Sequence, residues 1–193
     1  FYALASSAGS SWDVLLWLSM GAIPGEEWIH YALVRAGDRF ITYRAGVEVS
    51  TTTSSSAIYT GSAGVILGRY IATDTTPYDM SGYIDEFRFS KGIAKYVENF
   101  TPSTTEFTAD QYTKLLLHCD GADDGTTFTD SADSAPRHTI TAVGDVANTR
   151  AQQKVGDSSI IFDGTGDYLT IPDSSDWDMG TGSFTLELWA RFN

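Results

Sequence analysis

The acidic run Asp120-Gly121-Ala122-Asp123-Asp124-Gly125 has the residue types and close spacing of a calcium-binding loop. An EF-hand loop takes an oxygen ligand from its third residue and a bidentate Glu from its twelfth, and these positions hold Ala122 and Ser131. The run is therefore not an EF-hand. Because Asp side chains accept hydrogen bonds from nearby backbone amides, turn formation is the simpler interpretation of most of these residues.

Asp85 presents a different problem, because it lies between Ile84 and Phe87 on a predicted strand whose other residues are expected to be buried. A buried carboxylate without a partner costs several kcal/mol or shifts its pKa upward. The sequence therefore predicts that Asp85 accepts either a cation or strong hydrogen bonds. Arg88 or a backbone amide could supply that partner as well as an ion could.

Paired carboxylates for hydrolysis are not evident. A retaining glycoside hydrolase needs two carboxyl groups about 5–5.5 Å apart, and the adjacent Asp85 and Glu86 should point to opposite faces of a regular strand. Glu187 has Thr185 and Trp189 as its same-face neighbours. No Ser lies in a nucleophile-elbow sequence that could pair with one of the three His residues. The pattern predicts a protein that is not an enzyme.

Aromatic residues in polar surroundings are the candidates for binding a sugar. Tyr70 and Tyr78 flank a polar stretch that contains Asp74 and is long enough to line a groove, and Trp12 lies in a Gly- and Ser-rich segment. We predict a ligand site from these four residues, with Trp17 and Tyr59 as further candidates. Ordinary packing in the core or at a sheet edge is the alternative for each aromatic side chain.

The composition excludes several classes of partner. The chain carries 25 acidic and 12 basic residues, a formal net charge of −13, which argues against a nucleic-acid surface and an anionic membrane surface. No apolar run approaches the roughly 20 residues that span a bilayer, so we expect no membrane insertion. The single Cys119 excludes a disulfide framework.

An apolar–polar alternation with a period of two runs along most of the chain, and Gly, Ser, Thr and Asp fill the linkers. This spacing predicts an all-β antiparallel sandwich. Arg44-Ala45-Gly46 predicts a hairpin turn, with Gly46 supplying a positive φ. The Pro-interrupted segment after Asn99 predicts a boundary near residues 103–112.

Two sets of segments resemble opposite halves of a laminin G-like, concanavalin A-like jelly-roll domain. The first resembles the C-terminal half and comprises Trp28–Arg35, Gly82–Ala94 and Asn99–Pro102. The second resembles the N-terminal half and comprises Leu115–Gly121, Asp130–Ser131, Ser159–Gly164, Asp167–Leu169 and Phe184–Trp189. We assign residues 1–107 and 108–193 to these halves, as expected for a fragment that spans the junction of a tandem array. Either the halves close into one circularly permuted sandwich, which we favour, or sequence outside this chain completes each of them.

The resemblance implies a non-catalytic carbohydrate-binding or adhesion module of an extracellular, cell-surface or virion protein. The alternative is a purely structural or assembly module whose partners are neighbouring copies of the same protein. Calcium in this family lies at a sandwich edge on Asp side chains and loop carbonyls. By that resemblance, the expected calcium ligands are Asp85, Asp120 and Asp130.

Overall fold

The structure is a computed structural model that describes residues 2–71, 77–133 and 137–193. Nearly all regular structure in these ranges is β, which confirms the predicted all-β antiparallel sandwich; a single 3-10 turn occurs at Ser175–Trp177. The strands are β1 (Tyr2–Ala5), β2 (Leu15–Ser19), β3 (Ile29–Ala36), β4 (Arg39–Arg44), β5 (Val47–Thr53), β6 (Val65–Leu67), β7 (Arg69–Ile71), β8 (Pro77–Asp79), β9 (Ser81–Lys91), β10 (Thr113–Leu117), β11 (Thr141–Val143), β12 (Ala147–Thr149), β13 (Ser159–Asp163), β14 (Tyr168–Ile171) and β15 (Phe184–Phe192).

One antiparallel sheet of eight strands forms the larger layer, in the order β12-β13-β9-β15-β3-β4-β5, with β10 pairing to the remaining part of the β9 edge. Strand β15 lies at its centre and pairs with β3 on one side and with β9 on the other. Strand β15, from residues 108–193, therefore lies between two strands from residues 1–107 in one sheet. The division of the chain into two halves of a family domain stays a prediction.

The second layer is divided between the sheets β1-β2 and β11-β14-β6, and β7 and β8 form a further two-stranded sheet. The apolar side chains of the second layer pack against the inner face of the eight-stranded sheet in one core. This core joins residues that are distant in sequence, including Leu15, Phe87, Phe162, Leu169 and Phe184. Burial of apolar area across the two layers supplies most of the stability, because each sheet has one apolar face to remove from water.

The predicted hairpin joins β4 and β5. Both turn residues have a positive φ, 50° at Ala45 and 78° at Gly46, which is the geometry of a type I′ turn. A Cβ on Gly46 would lie 1.9 Å from the carbonyl oxygen of Phe100. Glycine is therefore required here for backbone approach as well as for its φ.

A β-bulge in β9 overturns one expectation. Glu187 of β15 faces Arg88 and Trp189 faces Asp85, so two residues of β9 oppose Leu188, and Glu86 has a φ of 50°. The alternation of side chains is lost at such a bulge. Asp85 and Glu86 consequently share the outer face of the eight-stranded sheet, and the prediction that they point to opposite faces is wrong.

Glu187 is fully buried and forms the centre of a polar network on that outer face. Its Oε1 accepts hydrogen bonds from Nε and Nη2 of Arg88 at 2.9 and 2.6 Å. Its Oε2 accepts one from the hydroxyl of Tyr96 at 2.7 Å and lies 3.1 Å from Nε2 of His30. The carboxylate is thus compensated by donors from three separate segments of the chain.

Residues 93–110, the covering segment, close the outer face. Tyr96 and Phe100 pack against Tyr43, and Phe107 packs against Trp189. The covering segment is also hydrogen-bonded to the sheet, since the Phe107 amide donates to Glu86 at 2.6 Å. The outer face of the sheet is therefore an interior surface and not an open groove.

Replacing Glu187 with Ala should destabilise the fold by about 3–5 kcal/mol, because it leaves the buried Arg88 without its carboxylate. Urea unfolding measures this loss. Glu48→Ala is the matched control, since the Glu48–Arg39 ion pair is partly exposed to solvent and should be worth less than about 1 kcal/mol. Equal losses in the two variants would contradict the assigned role of Glu187.

The Glu187 network should also make stability depend on pH. Hydrogen bonding from His30 and the charge of Arg88 lower the pKa of Glu187 despite the opposing effect of burial. A lowered pKa in the folded state gives stability that is present above the ordinary Glu value, about 4.5, and lost as the pH falls through the folded value. The difference in unfolding free energy between wild type and Glu187→Gln should therefore become smaller as the pH is lowered from 5 to 2. A difference that does not change with pH would contradict the lowered pKa of Glu187.

Candidate functional site

A cleft of about 550 Å³ opens between the two layers beside β1 and β2. Trp12, Tyr59 and Tyr70 line its mouth and remain 42%, 53% and 42% exposed. Half-exposed aromatic side chains around one opening offer flat apolar surfaces to a ligand while their polar atoms stay in water. This aromatic cleft is the candidate binding site.

The loop between β1 and β2 positions one side of the mouth. The side-chain oxygen of Ser6 accepts hydrogen bonds from the amides of Ala8 and Gly9 at 3.2 and 2.8 Å. The backbone oxygen of Ser6 accepts from the Tyr59 amide at 2.8 Å. Gly9 has a φ of 74°, and a Cβ there would come within 2.7 Å of the Tyr59 ring. A glycine at this position therefore lets the loop approach the Tyr59 ring.

The β7-β8 hairpin positions the other side. Tyr70 and Tyr78 are directly opposite across the two strands, and their rings stack with centroids 6.1 Å apart. Arg69 and Asp79 form a bidentate ion pair at 2.5 and 3.0 Å across the same hairpin. Hydrogen bonds from Arg69 and from the Gly166 amide lower the pKa of Asp79. Asp79 is therefore charged at neutral pH, and its ion pair with Arg69 joins β7 to β8.

The floor of the cleft differs in chemistry from its mouth. Leu15 and Phe184 are almost completely buried there, and half-buried apolar side chains surround them. The apolar lining residues are Leu4, Ala5, Leu15, Leu33, Ile58, Met179, Phe184 and Leu186. No Asp, Glu, Lys, Arg or His side chain lines the cleft within the described ranges.

The structure brings together two of the four predicted ligand residues, Trp12 and Tyr70. Tyr78 is outside the cleft lining but supports Tyr70 by stacking on it. Asp74 lies outside the described residues. The apolar floor was missed, because its leucines have the same sequence pattern as ordinary core residues and only the spacing of the layers distinguishes them.

Backbone amides donate hydrogen bonds to each of the three predicted calcium ligands. Oδ2 of Asp85 accepts from the amides of Lys154 and Val155 at 2.7 and 3.0 Å. Asp120 accepts from the amides of Asp157 and Ser158. Asp130 accepts from the amides of Leu116, Ala132 and His138. Asp85 therefore accepts backbone hydrogen bonds, which is one of the two alternatives that the sequence left open.

Asp85 nevertheless keeps one feature of an ion ligand. Its Oδ1 is buried without a hydrogen-bond partner among the residues that the structure describes. Burial raises the pKa of Asp85 to about 7, and this effect exceeds that of the two backbone hydrogen bonds, which lower the pKa. In the described ranges, no three His, Cys, Asp or Glu side chains converge as a metal site would require. Calcium binding stays a prediction.

A comparison with known protein families matches residues 1–94 to the laminin G family that is described as the concanavalin A-like lectin/glucanases superfamily. This segment belongs to that superfamily. The laminin G-like match ends before β10, so it covers the predicted ligand residues and Asp85 but neither Asp120 nor Asp130. No curated protein and no solved structure gives a significant match to the chain.

The described part of the chain contains no helix with the length and apolar character needed to cross a membrane.

If calcium binds at Asp85, adding it to chelator-treated protein should raise the melting temperature. At one hundred times the dissociation constant, mass action should raise it by roughly 5–10 °C for a chain of this size. Asp85→Asn should abolish the shift, whereas the exposed Asp173→Asn should retain it. A melting curve that calcium leaves unchanged would mean that Asp85 only accepts backbone hydrogen bonds.

Proposed function

We propose that this protein is a non-catalytic carbohydrate-binding or adhesion module that holds its ligand in the aromatic cleft. The observation that carries the proposal is the convergence of Trp12, Tyr59 and Tyr70 on one opening. Sugar rings present flat C–H faces that pack on aromatic rings, and their hydroxyls bond to polar groups around them. An extracellular location is part of the proposal, since laminin G-like domains commonly act there.

The serines at the mouth support a polar ligand. Ser10 and Ser11 line the cleft and are exposed, so each hydroxyl can donate to and accept from a ligand hydroxyl. The side-chain oxygen of Ser6 already accepts two backbone amides and therefore stiffens the loop. Stacking on the aromatic rings does not by itself fix the orientation of a ligand. Hydrogen bonds to polar groups at the mouth fix it.

The outer face supports a non-catalytic role. Asp85, Glu86 and Glu187 share that face, but each is buried and bonded to groups of the protein itself. His118 pairs with Glu86 at 2.8 Å, and this hydrogen bond raises the pKa of His118. A hydrolytic pair would need an open site in which substrate separates the two carboxyl groups.

An assembly module is the second candidate function. Tyr2, Leu16 and Trp17 expose 56%, 64% and 61% of their surface on the β1-β2 sheet. Exposed apolar side chains that are close together favour contact with another protein chain. This patch is separate from the mouth of the cleft, so the two candidate functions depend on different residues.

Binding to a glycan array followed by titration of the best ligand tests the proposal. Trp12→Ala and Tyr70→Ala should each weaken binding by about fivefold or more, since truncation of an aromatic binding residue that carries binding energy costs over about 1 kcal/mol. Trp17→Ala is the matched control and should bind as wild type does. Two results together would favour the assembly function instead. Trp17→Ala would abolish self-association, and glycan binding would be either absent or unchanged in Tyr70→Ala.

A further inference from the structure

The aromatic cleft has two chemically different parts, and the lower part is not suited to a sugar ring. The mouth has serine hydroxyls and half-exposed aromatic rings, whereas the floor has only apolar side chains. A sugar hydroxyl pressed against that floor would lose its hydrogen bonds to water without gaining others. The floor therefore needs a ligand group without hydroxyls.

The floor also excludes charge. No ionisable side chain of Asp, Glu, Lys, Arg or His lines the cleft in the described part of the chain, so neither an anion nor a cation would find a counter-charge. An anion would in addition face the field of a protein with net charge −13. The group that fills the floor is consequently uncharged.

The dimensions allow both parts to be occupied at once. A volume of about 550 Å³ lies in the range of 300–1,000 Å³ that is common for small-molecule sites. Water in an apolar floor lacks the two to four polar partners that hold it in a buried position. Displacing such water by an apolar group is favourable.

We infer that the ligand is an uncharged amphiphile, a sugar that carries an apolar acyl, alkyl or aryl substituent. The sugar contacts Trp12, Tyr59 and Tyr70 at the mouth, and the substituent enters the floor between Leu15, Leu33 and Phe184 and their apolar neighbours. This inference rests on the proposed function for the sugar part. The substituent part rests on the floor alone and can be tested without knowing the sugar.

The test uses the uncharged fluorophore N-phenyl-1-naphthylamine and its displacement by a series of n-alkanols from butanol to octanol. The fluorophore should bind saturably with one site per chain. Each added methylene should improve displacement about fourfold until the floor is filled, which corresponds to about 0.8 kcal/mol per buried methylene. Octanoate should displace the fluorophore more weakly than octanol because its charge finds no partner.

Ala5→Phe supplies the decisive variant, because Ala5 lines the cleft and a larger side chain there fills the floor. It should abolish fluorophore binding and the chain-length dependence, and its melting temperature should equal or exceed that of wild type, since filling a cavity adds packing. Leu33→Phe fills the floor from the opposite sheet and should act in the same way. Trp17→Ala should leave binding unchanged.

The outcomes separate this inference from the proposed function. Alkanol affinities that do not depend on chain length, or that Ala5→Phe leaves unchanged, would overturn the inference even if a glycan array shows binding. Chain-length dependence without any glycan binding would refute the carbohydrate function and retain the apolar site. With both present, an octyl glycoside of the sugar found on the array should bind more tightly than its methyl glycoside, and only the octyl form should weaken in Ala5→Phe.

Discussion

Strand β15 pairs along both of its edges, and the rest of the structure depends on this arrangement. Residues Phe184–Phe192 are hydrogen-bonded to β3 on one side and to β9 on the other. The pairing brings His30 and Arg88 to Glu187 on the outer face and places Phe184 and Leu186 in the floor of the cleft on the inner face. A carboxylate as buried as Glu187 is tolerated only when such donors surround it. The order of the strands supplies these donors, because β3 and β9 lie on either side of β15.

The two faces of the central sheet have opposite uses. On the outer face, the bulge at Asp85–Glu86 adds a carboxylate to a surface that the covering segment then closes. Holding Glu86 at a φ of 50° costs of order 1 kcal/mol or more, and its bonds to the Phe107 amide and to His118 offset that cost. Glu86 and Glu187 therefore use their carboxylates to stabilise the fold.

The inner face leaves one place unfilled. Where the second layer is divided into separate sheets, the side chains of β1, β2 and β15 do not meet across the whole core, and the aromatic cleft occupies the space between them. The same apolar side chains that stabilise the sandwich elsewhere form a binding surface here. Aromatic residues from the β1-β2 loop and from the β7-β8 hairpin frame its mouth, so the site is built from connections on a rigid scaffold.

The sequence by itself determined the local features: the alternation that makes strands, the turn at Gly46, the need of Asp85 for donors, and the aromatic character of Trp12 and Tyr70. These follow from the residue and its immediate neighbours. Tertiary structure alone decided that Asp85 and Glu86 share one face of the sheet. It also decided that Tyr70 lines the cleft, whereas Tyr78 only stacks on Tyr70. Leu33 likewise has the pattern of a core residue, and only the structure shows that it lines the floor of the cleft. Each of these depends on the register of β9 against β15 or on the gap between two layers. Both are set by strand pairing between residues 93 to 161 positions apart, which no local pattern encodes.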